Sequence, residues 1–483
     1  MENSFFWFDF ETFGVNPVKD RPSQFAGIRT DFDFNIIDDP INIYCKPSND
    51  FIPHPEACLI TGITPQHALQ NGIPENEFFK QIHFQLSASN TCSAGYNSIR
   101  FDDEVVRHGF YRNFYDAYAR EWQNGNSRWD IIDLLRMTHA LRPEGINWPT
   151  DENGVVSFRL EKLSKANGIE HEDAHDALAD VYATINMAKL VKQQQPKLFE
   201  FLFSMRDKRQ VMTEIDVINH KPFVHSSGML GKEHQYTGVM LPLLMHPTNK
   251  NSVICYDLTK PCEDLSTLSI EEIKQRIFTR QDDLPEDVLR LPIKEVHFNK
   301  CPAVAPIGVL NKESQQRLNI DLQACIAFAE LIKKDIKSIA NNIRDVYKSN
   351  KYEAVTNPDH ALYSGGFFSH SDKNEMDVIR KTEFKFLKNM KFEFKDPRLE
   401  TMLFRYRARN CFESLSDEEK NEWLEYRREV LLGDDGYYNY KSFQSSMQTL
   451  EKSKESNSDQ NKDRNKKVLQ QVKQYTDDLI QKL

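Results

Sequence analysis

Trp7-Phe8-Asp9-Phe10-Glu11-Thr12 is the stretch on which the reading of this 483-residue chain turns. Side chains alternate faces along a strand, so Asp9 and Glu11 leave one face while Phe8 and Phe10 leave the other, toward a core. Two carboxylates are thus presented on a rigid element. Such a pair can ligate one or two Mg²⁺ ions without large rearrangement, because magnesium takes oxygen ligands and keeps several waters. Alone, an Asp-x-Glu pair is weak evidence, better explained by exposed acids at a strand end, and the surrounding sequence has to decide.

Working outward, residues 4–10, 27–30, 41–46 and 91–96 read as strands, and helical patterns follow at 103–119, 130–141, 159–167 and 176–193. Gly168 stands where a helix C-terminal cap is expected. Strands first and helices later predict an α/β domain over residues 1–195, a mixed sheet flanked by helices. Pro196, after Gln193-Gln194-Gln195, marks a boundary. Short β-like runs at 222–225, 239–245, 252–258 and 293–298 then predict a small barrel or sandwich, with a hairpin at 246–251 and helices at 270–278 and 321–348. This second domain takes residues 196–349. Residues 350–483 read as a third, mostly helical domain. In it Ser416-Asp417-Glu418-Glu419 forms a capping-box pattern before a helix carrying Trp423 and Tyr426. Residues 451–467 are polar enough for a flexible linker. Val468, Val472, Tyr475 and Leu479 then recur at helical spacing in a final docked helix.

Hydrophobic residues at 39% and charged residues at 28% describe a soluble globular chain. No apolar stretch approaches the roughly 20 residues of a bilayer span, and no basic region with an apolar core precedes Phe5. A cytoplasmic protein with no membrane partner is expected. The eight cysteines include no Cys-x-x-Cys pair, which argues for buried thiols rather than a disulfide scaffold or structural zinc. A net charge of −10 is unusual for a nucleic-acid enzyme. Its distribution is more informative. Between Lys80 and Lys162 there is no lysine, yet arginines stand at 100, 107, 112, 120, 128, 136, 142 and 159, interleaved with Phe101, Tyr118, Trp122, Trp129, Trp148 and Phe158. Guanidinium forks on phosphate and aromatic faces under bases make a track for a single strand. The competing reading is an ordinary helical core with solvated arginines.

Asp102 ends Asn97-Ser98-Ile99-Arg100-Phe101-Asp102, where a turn enters the helix 103–119, with Asp103 beside it. An Asp there also serves as a cap, and Asp130 before Ile131-Ile132 is read as one. His175 and Asp180 are five residues apart, about 140° on a regular helix. They face one pocket only if His175 lies in the preceding loop or first turn. His171 and His175, four apart, would be half of a zinc site, but no third His or Cys is near and the set is rich in carboxylates. A neutral His175, with an ordinary pKa of about 6.5, can take a proton from water.

Asp9-x-Glu11-Thr12, Asn97-x-x-x-Phe101-Asp102 and His175-x-x-x-x-Asp180 resemble the three exonuclease motifs of the DEDD superfamily, which includes ribonuclease T, oligoribonuclease and polymerase proofreading subunits. The five-residue step fits its histidine subclass. The tyrosine subclass places Tyr four before the last Asp, and Asp176 stands there. Further stretches resemble the bacterial exodeoxyribonuclease I family nearly end to end. They are Asp20 to Ala26, Leu59 to Pro65, Leu141 to Pro149, Ser157 to Glu161, Ala166 to His171, and Tyr406-Arg407-Ala408-Arg409-Asn410.

That resemblance implies a ribonuclease H-like exonuclease domain, an SH3-like β-barrel domain and a C-terminal helical domain. It implies Mg²⁺-dependent 3′-to-5′ degradation of single-stranded DNA to 5′-mononucleotides in DNA repair and recombination. Asp9, Glu11, Asp102 and Asp180 would hold two Mg²⁺ ions roughly 3.5–4 Å apart, with Mn²⁺ as a substitute, and His175 would take the proton from the attacking water. Glu11, Phe158 and Arg159 would bind the terminal nucleotide, and Arg107, Tyr118, Trp122 and Arg136 would line the entering strand. The implied partners are single-stranded DNA with a free 3′ end and the acidic tail of single-stranded-DNA-binding protein, the enzyme itself being a monomer. Two rivals are a related exoribonuclease, for which residues 196–483 are more than trimming needs, and a non-catalytic strand-binding scaffold, which would be expected to lose a ligand. All five positions are filled.

Overall fold

The computed structural model describes residues 3–169, 176–260, 265–349, 355–434, 436–453 and 462–483. The chain packs into two units. Unit 1 gathers Met1–Ser127, His171–Tyr182 and Ala354–Leu483, and unit 2 takes Arg128–Glu170 and Ala183–Glu353.

In unit 1 the strand β1 (Ser4–Thr12) runs antiparallel to β2 (Pro22–Thr30) and parallel to a later strand, β4 (Thr91–Gly95). Between these in sequence comes β3 (Ile41–Tyr44), which pairs antiparallel with β2, giving the order β3-β2-β1-β4. The expected mixed sheet is present. Alternation on β1 explains its central place. Phe6, Phe8 and Phe10 enter one core with Phe25, Phe78, Phe79, Ile82, Val105 and Phe110. Phe5 and Trp7 leave the other face, where Trp7 Nε1 donates to Thr30 Oγ1 at 3.0 Å. Asp9 and Glu11 are the only residues of β1 that are less than fully buried.

Three helices absent from the sequence reading follow β3: Pro55–Thr61, Pro65–Asn71 and Glu75–Leu86. The first two open on proline at the first helical position, where its missing N–H costs nothing. The predicted helix 103–119 spans only Asp102–Arg112. Asn113 Nδ2 caps the Gly109 carbonyl at 2.8 Å, and Phe114 turns left-handed (φ 63°), which ends the helix without a glycine or proline.

The final docked helix is Lys462–Gln481. It buries Val468, Leu469, Val472 and Leu479 among Phe13, Phe51, Ile52, Cys58 and Phe443. The expected linker 451–467 needs correction at both ends. Residues 451–453 complete the helix Tyr440–Ser453, and 462–467 begin the last helix. Lys, Glu and Gln are good helix formers, so polarity alone did not mean coil. Residues 454–461 lie outside the described residues. The capping box at Ser416 and Glu419 is formed.

A buried ion pair binds the C-terminal stretch of unit 1 to its first stretch, Arg409 reaching Asp50 at 2.8 Å. Within the C-terminal stretch Arg409 also meets Asp359 at 2.6 Å and Arg405 adds a contact to Asp359 at 3.0 Å, while within the first stretch Arg112 meets Glu75 at 3.0 Å.

Unit 2 carries an antiparallel five-stranded sheet. The strand β5 (Ser127–Asp130), at the division between the units, is not one of its members; in chain order these are β6 (Phe223–Ser226), β7 (Thr237–Met245), β8 (Ser252–Asp257), β9 (Ile293–His297) and β10 (Ala303–Pro306). They lie in the order β10-β6-β7-β8-β9. The β7–β8 hairpin is as expected, and His246 Nδ1 accepts the Asn249 N–H at 2.9 Å to close its loop. β10, flanked by Pro302 and Pro306, was not predicted, and proline confines such a strand to an edge. The helix expected at 321–348 divides into Leu322–Lys334 and Ile336–Ser349. Gly168 is left-handed (φ 67°) just past the helix Leu160–Ala166, as its capping role requires. The seven described cysteines are free thiols, six of them buried.

Candidate active site

Asp9 and Glu11 lie on β1 beyond the point where β4 turns away. The last β1–β4 pair is Trp7↔Ala94, and β4 ends at Gly95. Gly95 is required by close approach, since a Cβ there would meet Ser98 at 2.7 Å and the Phe8 carbonyl oxygen at 3.0 Å. The chain then turns through left-handed Asn97 (φ 58°) into the helix Asp102–Arg112. Asp102 thereby arrives beside β1, where its Oδ1 accepts the Phe10 N–H at 3.0 Å. Phe10 separates Asp9 from Glu11, so this bond fixes Asp102 against both. Asp102 is not the N-cap of that helix: Phe101 takes that position, and its side chain makes no capping bond. Asp103 is instead ion-paired with buried Arg120, which also donates to Ser93 Oγ at 2.9 Å. Asp130 does cap its helix, accepting the Ile132 N–H at 3.0 Å.

Asp180 comes from the first turn of the helix Ala177–Gln194. One carboxylate oxygen from each of Asp9, Glu11 and Asp180 lies within 4.8 Å of the other two. Burial, and then the charges of Asp102, Asp180, Glu11 and Asp176, push the Asp9 carboxyl well above the usual range. Burial, and then Asp180, Asp102 and Asp176, raise Glu11 to about 9. Every neighbour named in either shift is another carboxylate. An all-oxygen donor set in mutual repulsion suits a hard divalent cation, whose charge would offset the repulsion that now holds protons on these acids. His175 and His171 lie outside the described residues.

Two participants were not singled out from sequence. Asp176 caps the Asp180 helix, its Oδ1 accepting the N–H of Leu178 at 3.1 Å and of Ala179 at 3.2 Å, and it adds a fifth carboxyl group to the cluster. An Asp just before a helical run was the available signal. Gln24, opposite Glu11 in the β1–β2 register, donates to Asp176 Oδ2 at 3.2 Å. Nothing local in the sequence marks it.

The residues expected along the strand divide by how much of each is still available. Trp122 is 66% exposed. Tyr118 is half-buried beside Phe367. Arg107 is buried, with Nε on Glu121 at 2.7 Å, Nη1 on Glu104 at 2.8 Å, and its guanidinium 5.3 Å from the Tyr118 ring centre. In unit 2, Arg136 is paired with Asp133 and stands over Phe158, which is itself buried among His139, Trp148 and Tyr236. Arg159 is exposed, 3.9 Å from Glu161. The arginine-rich stretch is thus partly a set of buried ion pairs rather than solvated charge.

Three family models match the chain: "Exonuclease" over residues 6–188, "Exonuclease I SH3-like domain" over 206–349, and "Exonuclease I C-terminal domain" over 356–479. The exodeoxyribonuclease I of Haemophilus influenzae is 47% identical over 430 residues, covering 89% of this chain and 90% of its own. That of Escherichia coli is 46% identical over 429 residues, with 89% and 90% covered. The structure of E. coli exonuclease I with a dA16 oligonucleotide superposes at a TM-score of 0.94, with 43% identity over 99% of this chain and 100% of that one. A moderately thermophilic exonuclease I from Methylocaldum szegediense does so at 0.93, with the same identity and coverage. The three domains are therefore a ribonuclease H-like exonuclease domain, an SH3-like domain and a C-terminal helical domain. With Asp180 gathered against the two acids of β1 and its matches spanning almost its full length, the chain belongs to the exodeoxyribonuclease I family.

Proposed function

We propose that this exonuclease removes 5′-mononucleotides from the 3′ end of single-stranded DNA by hydrolysis at two Mg²⁺ ions held by Asp9, Glu11, Asp102 and Asp180, with Mn²⁺ as a substitute. The observation that carries this reading is the meeting of Asp9, Glu11 and Asp180 within 4.8 Å, with Asp102 bonded to the backbone between the first two. Divalent ions there would supply positive charge against which the attacking water and the leaving oxygen are both stabilised. The chain's own part is to hold Asp9 and Glu11 on a strand paired on both sides, with Asp102 and Asp180 brought to it at the starts of two helices. His175, one residue before the helix cap Asp176, takes the proton of the attacking water. Glu11 with Phe158 and Arg159 engages the terminal nucleotide, and Arg107, Tyr118, Trp122 and Arg136 serve the strand behind it.

Support for the substrate comes from E. coli exonuclease I, solved with dA16 and, in a zinc-bound form, with single-stranded DNA. In this chain the oxygen-only donor set of the described residues favours Mg²⁺ over zinc. By family resemblance the enzyme works as a cytoplasmic monomer in DNA repair and recombination, and it binds the acidic tail of single-stranded-DNA-binding protein. No described helix is long and apolar enough to cross a membrane.

The test is nucleotide release from labelled DNA and RNA single strands of equal sequence, with and without Mg²⁺. Asp180→Ala and His175→Ala should each nearly abolish release while the fold survives. Normal turnover in either variant would sink the site, and preference for RNA would shift the substrate to the related exoribonucleases.

A further inference from the structure

Gln24 is 1% exposed and stands directly across from Glu11 in the β1–β2 pairing, so its side chain leaves the sheet on the same face as the acids. Its Nε2 donates to Asn42 Oδ1 at 2.9 Å and to Asp176 Oδ2 at 3.2 Å. A carboxylate only accepts, so the bond to Asp176 sets which way the amide faces. The other oxygen of Asp176 receives the N–H groups of Leu178 and Ala179, and the Asp176 carbonyl receives the N–H of Asp180 at 3.1 Å. An unbroken chain of hydrogen bonds therefore runs from β2 through Asp176 to the first turn that carries Asp180.

We propose that Gln24 is a positioning residue for the hydrolysis, an inference resting on the metal-dependent reading above. Its amide clamps the head of the Asp180 helix to β2 and so sets where the Asp180 carboxylate stands relative to Asp9 and Glu11. Two features favour this over a packing role. Gln24 Oε1 is buried with no hydrogen-bond partner among the described residues, a cost that an apolar side chain of the same size would avoid. And an arginine or lysine would bond Asp176 as well, but its charge would compete with a cation for the same acids. Glutamine supplies donors without charge.

Gln24→Leu keeps the volume and removes the clamp. The metal-free variant should melt no lower than wild type. Its kcat should nevertheless fall about 10- to 100-fold, the usual effect of losing a group that orients metal ligands, with KM for the strand within about two-fold. The rise in melting temperature produced by Mn²⁺ alone, without DNA, should require correspondingly more Mn²⁺. Asp176→Asn keeps the helix cap, since Asn caps as well as Asp, but it turns an amide N–H toward Gln24, whose own amide must flip to accept it and so gives up its donation to Asn42; kcat should fall, by less than in Gln24→Leu. Gln24→Glu combined with Asp176→Asn reverses the bond while conserving net charge, so the double variant should recover most of the kcat that either single change loses. A wild-type chain whose melting ignores Mn²⁺ would refute the metal reading itself. A wild type that responds, beside a Gln24→Leu variant with the same Mn²⁺ midpoint and kcat, overturns the clamp alone, as does a double variant no better than its parents.

Discussion

Replacing Arg409 by methionine keeps its length and removes its charge from between Asp50 and Asp359. Its guanidinium donates twice to Asp50 Oδ2, at 3.0 and 2.8 Å, and once to Asp359 Oδ2 at 2.6 Å, with only 4% of the side chain exposed. Burial would raise the Asp50 carboxyl, but Arg409 and then Arg21 outweigh it and hold it at about 2, against an ordinary 3.8. That depression is worth about 2 kcal/mol of stability at pH 7. Asp359 is held low by the same guanidinium together with Arg405. Without Arg409, the ion pair left to Asp50 among the described residues is the longer one to Arg21, at 3.9 Å. Leaving buried carboxylates short of a partner costs about 3–5 kcal/mol. Urea unfolding at pH 7 should therefore show a lower midpoint at unchanged slope. The sign with pH is fixed by the direction of the shift. A carboxyl whose folded pKa lies below its unfolded value stabilises fully above the unfolded value, and that gain is lost as pH falls through the folded one. The gap between wild type and Arg409→Met should thus narrow by about 1 kcal/mol between pH 7 and pH 3. A gap under about 1 kcal/mol at pH 7, or one that does not change with pH, would refute the reasoning.

Glu11→Gln should act on stability in the opposite sense. Because Glu11 is raised from 4.5 to about 9, the metal-free wild type loses stability as pH climbs through that window, so the variant's advantage in melting temperature should be larger at pH 8 than at pH 5. Trp122→Ala should leave unfolding within about 0.5 kcal/mol of wild type, yet weaken binding of a labelled single strand by about 1 kcal/mol or more in fluorescence anisotropy. Arg107→Ala, by contrast, removes the guanidinium that pairs with Glu104 and Glu121, and calorimetry should find it destabilised even without DNA. Gly109→Ala drives a methyl to within 1.9 Å of the Phe79 ring, and the overpacking should cost about 1–3 kcal/mol in urea unfolding.

What could be read from sequence was mostly local. The two-residue period of β1 gave the facing of Asp9, Glu11 and the phenylalanines before any partner strand was known. Asp102 was legible as a candidate, but its choice over Asp103 was not. That choice depends on a bond to Phe10 across 92 residues and on Arg120 claiming the neighbour. Arg107 was legible as charge but not as paired charge, because Glu121 approaches only after the turn at Phe114. The prolines opening the helices at 55 and 65 were an available signal that went unused. Gln24 had no signal, since its role exists only once β2 and the start of the Asp180 helix lie side by side.

Unit 1 is assembled from three separated stretches, and this has a consequence for biosynthesis. Residues 183–353 must emerge from the ribosome after Asp180 has been made and before Asp359 and Arg409 exist. At about 5–20 residues per second that interval is roughly 10–30 seconds. Throughout it the nascent chain carries all four acids but neither the arginine that joins Asp50 to Asp359 nor the last helix that covers Phe13 and Cys58. Completion of the nuclease is thereby deferred until residues 354–483 have been made, and a chain stalled midway would carry its ligands without their frame.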